Sequence, residues 1–96
     1  MSLSQRIDKA REAILSIARE HGAVTVRVFG SAARSEAAAG SDLDLLVEME
    51  PGRSLLDIVA IKQDVEDLLG IPVDVVTENA VSPYIRDGVL KEAVPL

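Results

Sequence analysis

Val24-Thr-Val-Arg-Val-Phe-Gly30 and Asp42-Leu-Asp-Leu-Leu-Val-Glu-Met49 decide the fold. The first alternates apolar and polar residues and is rich in β-branched types, which predicts a strand over 24–30, and the second reads as a strand over 42–49. Only about 11 residues separate them, and a parallel crossover usually needs a dozen or more. The spacing therefore predicts an antiparallel pair. The intervening segment has room for one short helical turn, placed at 32–37.

Working outward, Ser54 and Asp57 have the spacing of a capping box, and the residues after Ser54 are apolar at helical intervals. We expect a helix to Leu69 with the stripe Leu55, Ile58, Ile61, Val65 and Leu68 facing the core. Gly70 closes it, and Pro72 prevents its continuation. Val73-Asp-Val-Val-Thr77 reads as a third strand, parallel to the second across a helical crossover if the two are neighbours. Glu50-Pro51-Gly52-Arg53 fits a type II turn. Upstream, Ile7, Ala10, Ile14, Ile17 and Ala18 mark a helix over about 4–21, with Ser2 and Gln5 at capping spacing and Gly22 as the stop. His21, in its last turn, is expected to be structural or solvent-facing. Ser82-Pro83 is expected to start a last helix that Pro95 ends. The predicted order is αβαβαβα: a small mixed sheet of the α/β (α+β) class.

Composition narrows the function. The chain has 96 residues, 48% apolar, with 16 acidic against 10 basic side chains and no cysteine. That length predicts a single domain, 1–96. Without cysteine there is no disulfide scaffold, thiolate metal site or cysteine nucleophile. A net charge of −6 with scattered basic residues argues against a phosphate-backbone binder. With Phe29 and Tyr84 as its aromatics, the chain cannot build a stacking platform for single strands. It carries no apolar run of membrane-spanning length and no signal-peptide pattern, so a cytoplasmic protein is expected.

The predicted topology brings the end of the first strand and the starts of the second and third to one edge of the sheet. Gly30, Ser31, Asp42, Asp44 and Asp74 gather there. Asp42 and Asp44, two apart on a strand, point to one face, while Leu43 and Leu45 point to the other. Carboxylates this close repel unless a cation sits between them, and oxygen-only ligands suit Mg²⁺ or Mn²⁺. Two such ions form the usual clamp for phosphoryl or nucleotidyl transfer. Gly30 allows close backbone approach to a ligand, and Ser31, opening a short helix, offers a hydroxyl and free N–H groups to phosphate. Arg34, one turn on, is placed to neutralise a triphosphate. An edge strand with merely solvated carboxylates is the bland alternative for Asp42 and Asp44, and Gly30-Ser31 at this distance argues against it.

Gly30-Ser31, ten residues, then Asp42-Leu43-Asp44 resembles the signature of the polymerase β-like nucleotidyltransferases. The four fixed positions match by chance about once in 10⁵ starts. Val26 to Arg34, Asp42 to Val47, Gly52 to Asp57, Pro72 to Thr77 and Lys91 to Leu96 extend the resemblance to the minimal nucleotidyltransferase subfamily, over nearly the whole chain. The resemblance implies the palm fold, a mixed sheet with helices packed on one side. It implies that Asp42 and Asp44 hold two metal ions, and that Asp74 binds one and helps activate the attacking hydroxyl. It further implies an antitoxin partnered with a HEPN-domain toxin, neutralised by transfer of AMP from ATP to a tyrosine hydroxyl.

The subfamily usually has glycine where Ser35 stands. In a left-handed backbone, serine there costs about 1 kcal/mol. Two other functions fit the same residues: a transfer-dead antitoxin that masks its partner stoichiometrically, and a transferase for a small molecule, its acceptor site completed by a second subunit. Leu90, Val94 and Leu96 are either core or an apolar interface with a partner or a second copy.

Overall fold

The computed structural model describes residues 3–30 and 42–96. Helix α1 (Leu3–Glu20) leads into strand β1 (Ala23–Phe29), and β2 (Leu43–Met49) precedes helix α2 (Leu55–Leu69). Strand β3 (Val73–Thr77), a 3-10 turn (Glu78–Ala80), helix α3 (Arg86–Glu92) and strand β4 (Val94–Pro95) complete the order. The sheet runs β3-β2-β1-β4. As expected, β1 and β2 are antiparallel, with Phe29 opposite Asp44. β2 and β3 are parallel, with Asp44 opposite Asp74.

The helices form because their ends are sealed and one face is apolar. At α2 the capping box is complete: the Leu56 N–H donates to Ser54 Oγ at 3.2 Å and the Ser54 N–H to Asp57 Oδ2 at 3.0 Å. Gly70, with φ +70°, ends the helix and donates its N–H to the Glu66 carbonyl. Glu66 then ties the helix to the sheet by accepting from the Val73 N–H, the main reason its carboxyl lies below its ordinary pKa; Lys62 adds to this. Gly52, with φ +88°, takes the left-handed position of the expected type II turn.

One face of the sheet makes the core. Leu43, Leu45 and Val47 of β2, Val26 and Val28 of β1, and Val73 and Val75 of β3 are buried against Ile7, Ile14 and Ala18 of α1 and Ile61, Val65 and Leu69 of α2. The α1 stripe holds as read, with Ala10 and Ile17 partly buried beside it. The α2 stripe needs correction. Leu55 is 71% and Leu68 43% exposed, and Leu69 is buried instead. Apolar residues lie on most sides of α2, so periodicity alone permits more than one stripe. The packed one runs Ile58, Ile61, Val65, Leu69, and the first turn stands beyond it.

The C-terminal region differs further from expectation. The last helix covers Arg86–Glu92 alone, after a turn at 83–85. Pro95 does not terminate that helix; it lies in β4, opposite Arg27 of β1. Lacking an N–H, proline is tolerated there because β4 is an edge strand, and the Leu96 N–H supplies a bond to the Val26 carbonyl. The order therefore gains a fourth strand. The expected turn at 32–37 and the Ser2 cap lie outside the described residues. Leu96 packs against the core, whereas Val94 is 49% exposed.

β3 and β4 are parallel and lie on opposite edges, so residues 78–93 must return across β2 and β1. They do so on the face away from α1 and α2. Arg27 alternates with core-facing Val26 and Val28, so it projects from that open face, and it pairs with Glu78. Leu46, on the same face, is 1% exposed yet lies outside the main core. The Arg27–Glu78 pair fixes the start of this strap on the open face.

Candidate active site

Strand alternation turns Asp44 to the open face because Leu43 and Leu45, its neighbours, are taken by the core. The parallel register puts Asp44 and Asp74 directly across from each other at the starts of their strands, about 4.8 Å apart as neighbouring strands are. Asp42 is exposed one residue before β2, at the same parity as Asp44. Asp74 is exposed, whereas Asp44 is half-buried.

Gly30 completes this edge from the other side. It follows β1 with φ +74°, a conformation favouring glycine, and a Cβ at its position would lie 2.5 Å from Asp44 Oδ2. The Asp44 carboxylate thus rests on the bare α-carbon of Gly30. The two halves of the sequence pattern, glycine and aspartate, meet in space. Ser31 and Arg34, the other two residues assigned to a triphosphate, lie outside the described residues, as does Ser35.

The electrostatics of the edge ask for a cation. Burial raises the Asp44 pKa above its ordinary value, and the carboxylates of Asp74 and then Asp42 raise it further. Among the described residues no three acidic or imidazole side chains converge into a ready-made metal cage. Asp42, Asp44 and Asp74 thus share an edge without closing around an ion by themselves; Mg²⁺ takes one or two carboxylates and completes its shell with water and substrate phosphates. The donors present, hard oxygens without histidine or cysteine, fit that ion. In chemical terms the edge can accept a proton, and a cation held there would neutralise phosphate charge.

Two interactions had no signal in the sequence. His21 Nε2 lies 3.0 Å from Asp64 Oδ2, linking the end of α1 to α2, so the histidine is structural as expected but by a specific contact. Arg27 and Glu78, 51 residues apart, fasten the strap to the open face. A shallow cleft of about 260 Å³, lined by residues including Glu48, Met49, Thr77 and Asn79, lies at the other end of β2 and β3, away from the aspartates. No helix of the described residues is long and apolar enough to cross a membrane.

Comparison with known proteins gives a consistent picture. Residues 7–96 match the family model described as a nucleotidyltransferase domain. The chain is 43% identical to a candidate protein adenylyltransferase of Methanocaldococcus jannaschii, over 92% of this chain and 95% of that protein. It is 40% identical to the protein adenylyltransferase MntA of Thermococcus cleftensis, over 76% of this chain and 74% of that protein. A solved structure of a candidate minimal nucleotidyltransferase superposes with TM-score 0.87 at 52% identity, covering 100% of this chain and 97% of that one. A crystal structure of a toxin–antitoxin with AMP-PNP shares the fold, with TM-score 0.72 at 19% identity over 85% of this chain and 68% of that one.

Proposed function

The chain belongs to the nucleotidyltransferase-domain family, in its minimal branch, and from that premise we propose that it is a Mg²⁺-dependent protein adenylyltransferase acting as an antitoxin. Its substrate is ATP, and its acceptor is a tyrosine hydroxyl on a partner toxin of the HEPN class. The observation that carries this reading is the Asp44–Asp74 pairing with Asp44 seated on Gly30. The adenylyltransferase names of relatives at 43% and 40% identity support the choice of AMP and of a protein acceptor. The toxin–antitoxin fold neighbour with AMP-PNP is consistent with a toxin partner.

Asp42 and Asp44 would hold two Mg²⁺ ions, or Mn²⁺ in their place, and Asp74 one of them. Bound there, the ions would polarise the α-phosphate and neutralise the charge that develops on it. Gly30 lets the backbone approach the triphosphate, and Ser31 and Arg34 hold the leaving pyrophosphate by hydrogen bond and charge. Asp74 accepts the proton of the attacking hydroxyl. The new bond joins that oxygen to the α-phosphorus as the bond to the β-phosphate breaks. Asp42 and Asp74 are exposed, which suits an acceptor carried by another protein. We place the whole reaction in a single domain in the cytoplasm, without direct nucleic-acid binding.

Intact-mass spectrometry of proteins that co-purify with the tagged chain, after incubation with ATP and Mg²⁺, tests the reading. A partner that gains whole adenylate units with the wild type and none with Asp42→Asn is the expected result. A partner that binds both versions equally and gains no mass would replace the enzyme with the stoichiometric masking function. Modification of an added small molecule without any partner would move the acceptor class instead.

A further inference from the structure

We propose that Tyr84 is itself an adenylyl acceptor, modified by a second copy of this chain. The inference rests on the transferase reading above and extends it to a site on the protein's own surface. Tyr84 is the chain's one tyrosine, and it is 98% exposed. A tyrosine ring can bury 150–250 Å², as the side chain's size dictates; this one contributes almost none of that to the fold. It is neither a core residue nor a rim residue, so packing within the chain gives it no role.

Its presentation is well defined. The ring stands on the turn 83–85, in the strap that crosses the open face of the sheet. The Tyr84 N–H donates to Ser82 Oγ, and the N–H groups of Ile85 and Arg86 both donate to the Ser82 carbonyl, at 3.1 and 3.0 Å. Pro83 restricts the backbone between them. The phenol therefore projects from a closed turn, with Ile85, 58% exposed, as an apolar shoulder beside it. The backbone beneath the ring is fixed by these bonds, so docking into another protein's site costs side-chain freedom but little backbone freedom.

The chemistry matches the site. A phenol gives up its proton more readily than the hydroxyls of serine or threonine. The Tyr84 hydroxyl oxygen attacks the α-phosphorus of ATP held by the second copy, forming a phosphodiester. The bond from that phosphorus to the β-phosphate breaks, pyrophosphate leaves, and the phenol proton passes to the second copy's Asp74. The product adds one negative charge to a protein that already carries −6.

The test uses the purified chain alone with Mg²⁺ and ATP labelled on its α-phosphate, and a short tyrosine peptide as a separate acceptor. Wild type is expected to take up one label per chain, and Tyr84→Phe to lose at least tenfold of it while labelling the peptide as well as wild type does. Mixing Tyr84→Phe as donor with Asp44→Asn as acceptor should label the Asp44→Asn chain, which establishes transfer between copies. Label persisting in Tyr84→Phe, or a labelled peptide with an unlabelled wild-type chain, overturns the Tyr84 assignment and leaves the transferase reading standing. No label on chain or peptide, with a partner adenylated in the intact-mass experiment above, overturns the Tyr84 assignment alone; no adenylate on chain, peptide or partner in either experiment overturns both.

Discussion

Leu45 and Asp44 are adjacent on β2 and differ in everything that surrounds them. Leu45 is 0% exposed in the core between the sheet and the two long helices. Asp44, facing the other way, is half-buried among carboxylates that raise its pKa. The start of β2 thus carries saturated apolar contacts on one face and mutually repelling carboxylates on the other. The first face holds the second in place: Asp44 cannot turn away from Asp74 and Gly30 without dragging Leu43 and Leu45 out of the core. The site's repulsion is tolerated because the strand beneath it is fixed by burial.

Breaking the apolar side should have the largest effect on the fold. Leu45→Ala is expected to cost about 2–5 kcal/mol, against the 5–15 kcal/mol typical of a whole domain. Urea denaturation measures it directly. A loss under about 1 kcal/mol would mean that β2 is not anchored by this face.

Breaking the charged side should separate stability from function. Asp44→Asn is expected to lower adenylyl transfer at least about 100-fold, the scale of removing one group that stabilises transition-state charge. Its effect on stability runs the other way. Because the folded chain holds the Asp44 proton more tightly than the unfolded chain does, ionisation of Asp44 costs stability above its raised pKa, and that cost vanishes as pH falls below the ordinary carboxylate value. The variant should therefore melt at a higher temperature than wild type at pH 7, with the gap closing in acid. Mg²⁺ should raise the wild-type midpoint and leave that of the variant nearly unchanged. A variant less stable than wild type at pH 7 would contradict the placement of three carboxylates at one edge.

Gly30→Ala probes the contact that joins the two halves of the site. The added Cβ would meet Asp44 Oδ2 at 2.5 Å, on a backbone with φ +74°. The left-handed strain alone costs about 1–2 kcal/mol. The carboxylate must also move, and a displacement of about 1 Å at a reacting centre can cost about 100-fold in rate. We expect transfer to fall about 10- to 100-fold, with a melting midpoint lowered by several degrees. An alanine variant with full activity would show that Asp44 does not act from its seat on Gly30.

The same contrast explains what the sequence made legible. The β2 face was readable because alternation leaves no choice: once Leu43, Leu45 and Val47 go inward, Asp44 goes outward. Connection lengths gave the strand directions, so Asp44 and Asp74 meet once β2 and β3 are neighbours, and the α2 caps were read from Ser54, Asp57 and Gly70. Less was readable where several arrangements satisfy the same local pattern. Pro83 and Pro95 bracket a plausible helix, and only pairing with Arg27 and Val28, some 67 residues earlier, makes 94–95 a strand. The Arg27–Glu78 and His21–Asp64 contacts depend on tertiary placement and leave no local trace. For α2, apolar residues on most sides left the buried stripe undetermined.

That last ambiguity yields the smallest expected effect. Leu55 and Leu45 are the same residue type, and periodicity would assign both to the core; the structure leaves Leu55 71% exposed and Leu45 at 0%. Leu55→Gln should therefore change unfolding free energy by no more than about 0.5 kcal/mol, as substitutions at exposed sites do. The capping box survives, because it is made by Ser54, Asp57 and the Leu56 N–H rather than by the Leu55 side chain. If Leu55→Gln instead cost 2 kcal/mol or more, on the scale of Leu→Ala in a core, the first turn of α2 would have to pack inward. The stripe would then run from Leu55, and the boundary of the core drawn at Ile58 would be misplaced by one helical turn.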